Sequence, residues 1–102
     1  MTSDAPRMTD DSGAHRYTVS QGGKDAGFIA YTDHGQAREL THTEIGDNFQ
    51  GEGLGSALVK YALDDIRRKD MGVVPTCSFA ASYIQEHPEY ADLVQGSRTP
   101  QQ

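Results

Sequence analysis

Polar and apolar residues alternate through three stretches of the first half of the chain, and then the period changes. "HRYTVSQ", "AGFIAYT" and "ARELTHTEI" read as strands, separated by turn signals at "GGK" and "DHGQ". Alternation in the third stretch sets Ala37, Glu39, Thr41 and Thr43 on one face and Arg38, Leu40, His42 and Glu44 on the other, with Ile45 on the Thr43 face. Beyond the breaker-rich loop "GDNFQGEG", Leu54, Ala57, Leu58, Tyr61, Ala62 and Ile66 recur at helical spacing. Lys60, Asp64, Arg67 and Arg68 fall mainly on the outer side of that helix, which is expected to stop near Met71 with Gly72 as its cap. "VVPTCSF" then reads as a short buried strand, "AASYIQEH" as a second helix halted before Pro88, and "PEYADLV" as a final helical turn.

The order β-β-β-loop-α-β-α predicts an antiparallel meander followed by a βαβ unit with parallel strands and a right-handed crossover. The expected fold is α+β, a mixed and mostly antiparallel sheet with helices packed on it. Residues 1–15 read as a disordered leader, 16–95 as one domain and 96–102 as a flexible tail, with no internal repeat.

Composition narrows the function classes. The chain has 102 residues, 35% of them hydrophobic, which suits one modest core. No run of about 18 apolar residues is present, and the polar start lacks the apolar core of a secretory signal. A net charge of −6 argues against general nucleic-acid binding and against adsorption to anionic membranes, while it tolerates a cationic amine. The single cysteine, Cys77, forms no internal disulfide and suits a reducing cytoplasm.

Three glycines, Gly51, Gly53 and Gly55, stand at the start of the first helix, where glycine is a poor helix former. A glycine-rich loop between strand and helix aims backbone N–H groups at one spot, with the helix dipole behind them, and so suits phosphate. No lysine follows as a P-loop requires, and Ser56 stands where a dinucleotide fingerprint needs its third glycine. A turn that only packs helix against strand is the plainest alternative. The spacing that fits is Q-x-x-G-x-G, met by Gln50, Gly53 and Gly55.

That loop between strand and helix resembles the pyrophosphate-binding motif of the GNAT superfamily of acetyl-CoA-dependent N-acetyltransferases. "HTEI", the glycine loop, "VVPTCSF" and "HPEYADLV" together resemble its small single-domain GNAT-like family, over roughly Tyr17 to Val94. The resemblance implies an abbreviated GNAT-like fold whose acceptor site is open or completed by a partner, in a monomer or homodimer.

It also implies a site. Backbone N–H groups from Gly51, Glu52, Gly53, Leu54, Gly55 and Ser56 would hold the pyrophosphate, with Gln50 nearby. Thr43, Glu44 and Ile45 would pair with the pantetheine arm, which a splay between the third strand and the Cys77 strand would admit. Cys77 would lie near the thioester, either as a nucleophile or beside a directly transferred acetyl group. Glu39 is the candidate general base, and its plain alternative is a solvated carboxylate. His42 belongs to the "HT" signature, and its plain alternative is a hydrogen-bonded structural histidine. Tyr83 is a candidate acid for the thiolate, although the spacing departs from that of larger relatives.

His42-Thr43-Glu44 and Pro75-Thr76-Cys77 also come near a zinc-deaminase signature. The first cysteine is displaced and the second is missing, so no metal is expected. The function implied is transfer of acetyl from acetyl-CoA to an amine on a small molecule or protein. The alternative is a non-catalytic CoA-binding or protein-interaction module.

Overall fold

The structure, a computed structural model, describes residues 5–50 and 53–94. Five strands form one sheet in chain order: β1 (Arg7–Asp11), β2 (Arg16–Gln21), β3 (Lys24–His34), β4 (Ala37–Ile45) and β5 (Gly72–Pro75). The first four pair antiparallel, and β5 pairs parallel to β4 after the crossover through helix α1 (Leu54–Arg68). Helix α2 (Ser78–Glu86) and a 3-10 segment (Pro88–Leu93) follow. The mixed sheet with helices packed on it is the α+β architecture that the pattern predicts, and it matches the abbreviated GNAT-like fold that the resemblance implies.

One face of the sheet carries the core. Tyr17, Val19, Ile29, Leu40 and Val73 are fully buried against Leu58, Val59, Ala62, Leu63 and Ile66 of α1. The helix survives as an amphipathic element because those positions form one apolar stripe. The opposite face holds Arg16, Thr18, Phe28, Thr32, Glu39, His42 and Glu44, all at least partly exposed.

Four expectations are corrected. Residues 7–11, read as part of a leader, form an edge strand paired with β2. Helix α1 ends at Arg68, where Asp70 rather than Gly72 takes the left-handed conformation (φ 59°), and Gly72 opens β5. β5 stops at Pro75, so Cys77 lies beyond the strand as the N-cap of α2.

The fourth correction concerns β4. Ala30 pairs with His42 but Tyr31 pairs with Leu40, so Thr41 is an extra residue in a bulge. The bulge reverses the alternation beyond it. Arg38, Leu40, Thr43 and Ile45 therefore face the helices, and Glu39, His42 and Glu44 share the open face. Ser12–Ala14 of the expected leader form a 3-10 turn with His15 as its cap, while residues 1–4 and 95–102, and with them the tail, lie outside the described residues.

Beneath the C-terminal half of α1 lies an ionic network that the pattern does not announce. Arg38, only 7% exposed, donates from Nε and Nη2 to the two oxygens of Asp33 at 2.7 and 2.9 Å, and from Nη1 to Tyr17 Oη at 2.8 Å. Tyr17 donates in turn to Asp65 Oδ2 at 2.8 Å, and Asp65 is 1% exposed. Burial would raise the pKa of Asp65, but hydrogen bonds from Lys69 and Tyr17 hold the carboxyl below the usual carboxylate range.

Candidate functional site

Pairing between β4 and β5 ends at Leu40 and Pro75, after which the two chains part. Cys77 N–H donates to the Leu40 carbonyl at 2.8 Å, and from there the chain turns into α2. The last residues of β4, Thr43 to Ile45, are therefore left without a β5 partner. Their helix-facing side opens onto a cleft of about 390 Å³ lined by Thr43, Ile45, Phe49, Gln50, the first turn of α1 from Gly53 to Ser56, and Phe79.

Two glycines shape the cleft for different reasons. Gly53 caps α1 at φ 76°, a left-handed conformation that side chains resist. Gly55 clears a neighbour, since a Cβ there would stand 2.9 Å from Phe79 Cζ. The N–H groups of Leu54, Gly55 and Ser56 begin the helix without intrahelical partners, and no side chain among the described residues caps them. The Gln50 amide donates to the Ile45 carbonyl at 3.1 Å, tying the loop to the end of β4. Gly51 and Glu52 lie outside the described residues.

Cys77 borders this cleft through Thr43, with Sγ 3.1 Å from Thr43 Oγ1. Burial would raise the thiol's pKa. The Thr43 hydroxyl and the N–H groups at the start of α2, Ala80 and Phe79, outweigh burial and bring it below the ordinary value.

Three of the four other candidates sit on the open face. Glu39 accepts from Thr76 Oγ1 at 2.6 Å and is bonded to His34 Nε2 at 2.9 Å. These two bonds, Thr76 first, hold its carboxyl below the usual range. His42 Nε2 lies 3.2 Å from Glu44 Oε1, both exposed, and the His42 ring is 6.0 Å from that of Phe28. Glu44 lines a separate recess with Arg16, Thr18 and Phe28, so it is not a wall of the main cleft. Tyr83 is buried in α2, its ring stacked 3.9 Å from that of His87, and burial pushes its hydroxyl pKa up.

Sequence reasoning missed Phe49 and Phe79. Phe79 follows Cys77 by two residues, and the sequence pattern places it in a strand, whereas it lies in the first turn of α2 against Gly55 of α1. It is the large hydrophobic residue that stays most exposed among the described residues, at 42%.

The sequence profile of the GCN5-related N-acetyl-transferase family matches residues 16–93, nearly the whole of the sheet and helices. The chain belongs to that family. Protein NATD1 of Homo sapiens is 30% identical over 93 residues, covering 87% of this chain and 82% of the human protein. Protein NATD1 of Xenopus tropicalis is 29% identical over 93 residues, covering 87% and 85%.

Among solved structures, a GCN5-like protein from Staphylococcus aureus superimposes with a TM-score of 0.67 at 19% identity, covering 94% of this chain and 92% of that one. The ribosomal-protein-S18-alanine N-acetyltransferase of Escherichia coli gives 0.59 at 22%, covering 72% of this chain and 50% of that one. These two likenesses are of fold, and this chain spans half the length of the Escherichia coli enzyme's chain. The family and the fold together support acetyl transfer as the general chemistry.

Proposed function

We propose that the chain binds acetyl-CoA in the cleft and transfers acetyl to an amine on a small molecule or a protein. The observation that carries this reading is the parting of β4 from β5, which brings a strand edge without a β5 partner beside a helix N-terminus that no side chain of the described residues caps. A pyrophosphate suits the free N–H groups of Leu54, Gly55 and Ser56, where the α1 dipole adds to their partial charge. An extended, amide-bearing arm suits the Thr43–Ile45 edge as an added strand, with Ile45 and Phe79 as apolar walls. The fit rests on chemistry present in the chain: backbone donors at one end, strand edge in the middle, and Thr43 with Cys77 at the far end.

Acetyl-CoA supplies an activated acyl group when bound. The chain's residues must then hold a neutral amine and stabilise the charges that develop. Cys77, with a depressed pKa and beside Thr43, is the group positioned nearest the end of the arm. Glu39 remains ionised at neutral pH, because Thr76 and His34 both bond its carboxyl; it holds an incoming ammonium well.

The same two bonds weaken Glu39 as a base, and this favours a second reading, a CoA-binding module without turnover. Calorimetry with acetyl-CoA on Gly53→Glu tests the shared part of both readings. A carboxylate at the helix N-terminus is expected to weaken binding by about tenfold or more, while Gly53→Asn, which tolerates φ 76°, keeps it. Wild-type affinity in Gly53→Glu would sink the pyrophosphate assignment. Product formation from acetyl-CoA across a panel of amines then separates enzyme from binding module.

A further inference from the structure

We infer that β1 is an exchangeable strand, and that two copies of this chain form a dimer by swapping it. The strand has one neighbour, β2, with which it pairs from Arg7↔Ser20 to Asp11↔Arg16. It is held from outside the core. Met8 packs partly against the apolar cluster, and Asp10 accepts from Tyr31 Oη at 2.6 Å and from Lys69 Nζ at 2.9 Å. Every one of these contacts is reformed unchanged when the β1 of a second copy takes the same place, so exchange loses no pairing and no ion pair.

The link between β1 and β2 is what drives exchange. It is a single 3-10 turn, Ser12–Ala14, closed by His15 in the left-handed conformation (φ 56°, ψ 52°) with its N–H on the Ser12 carbonyl at 3.2 Å. A side chain in that conformation is strained relative to glycine. Short hinges under strain favour swapping, because straightening them relieves the strain that the closed form must hold. Gly13 lets the turn unwind without a further penalty. The family profile begins at Arg16, the residue just past this hinge, so the part that receives the strand is the family's own domain.

A disulfide trap reads the exchange directly. Thr9 and Thr18 are register partners across β1 and β2, at a separation a disulfide spans. The full chain carrying Thr9→Cys, Thr18→Cys and Cys77→Ser is incubated at increasing concentration, diluted rapidly, and oxidised. The expected product is a covalent dimer whose share rises with incubation concentration and falls about fivefold or more when His15→Gly is added, since each dimer relieves two hinges.

If every chain links internally at every concentration, the proposal is overturned. The same holds if dimers form but the linkage stays internal, or if His15→Gly leaves the dimer share unchanged. Should the triple variant fail to fold, a mixture of isotope-labelled and unlabelled wild-type chains replaces it. There, filtered magnetisation transfer between the β1 and β2 amides of different copies supports the swap, and transfer confined to single copies overturns it.

Discussion

Thr43 Oγ1 and Cys77 Sγ stand 3.1 Å apart, joining the unpaired end of β4 to the N-cap of α2. That contact bridges the two chains beyond the point where β4 and β5 separate, and it sets a polarised thiol at the edge of the cleft. The bulge at Thr41 makes it possible, because only the shifted alternation turns Thr43 toward the helices.

Removing the hydroxyl tests the electrostatics of this pair. Thr43 lowers the thiol's pKa, so Thr43→Val is expected to raise it and to slow alkylation of Cys77 at neutral pH several-fold. Mass-spectrometric labelling rates across a pH series give the midpoint. It should lie below the ordinary value of a free thiol in the native chain and move upward in the variant.

Tyr17 bridges two buried charges, accepting from Arg38 and donating to Asp65. Tyr17→Phe leaves both a bond short within the core, at an expected cost of about 1–3 kcal/mol. Urea denaturation of the two proteins measures the difference, and a change within experimental scatter would remove the network from the account of stability.

Asp65 also carries a pH signature. Its folded pKa lies below the unfolded value of about 3.9, so its contribution is complete above that value and is lost as pH falls through the folded pKa. Asp33 is held low in the same direction, first by Arg38. The native protein should therefore lose stability steeply in acid, and Asp65→Asn should flatten that slope even though it lowers the plateau. Urea midpoints measured through the acid range compare the slopes.

Gly55 serves the Phe79 ring, so Gly55→Ala should push that ring from its seat and weaken acetyl-CoA binding several-fold. Alanine is the better helix former by about 1 kcal/mol, which offsets part of the crowding, so thermal stability should change little. Calorimetry and a melting curve on one variant separate the two effects.

Much of this was written in local pattern. The β3–β4 hairpin and α1 follow from alternation and helical spacing, and β4 runs over the same nine residues, Ala37–Ile45, that the alternation marks. Seven of the nine residues that line the cleft are ones the family resemblance implies for the cofactor, and Cys77 borders the cleft through Thr43. The exceptions are set by tertiary structure. A bulge is invisible to strict alternation, so Glu39 was put on the opposite face from His42 and Glu44. β1 is short and polar, and it is ordered by Asp10 reaching Lys69, a residue 59 positions away. Asp65 breaks the apolar stripe of α1, and its partners Tyr17, Arg38, Arg68 and Lys69 explain why a carboxylate stands there.

The central claim is that the cleft between β4, α1 and Phe79 holds acetyl-CoA. A two-dimensional amide NMR titration with acetyl-CoA, with ATP and NAD as controls, tests it most directly. Selective shifts are expected at Thr43–Ile45, Gly53–Ser56 and Cys77 with acetyl-CoA, and none of that pattern with the controls. An unchanged spectrum at millimolar acetyl-CoA, or the same shifts with all three nucleotides, would contradict it.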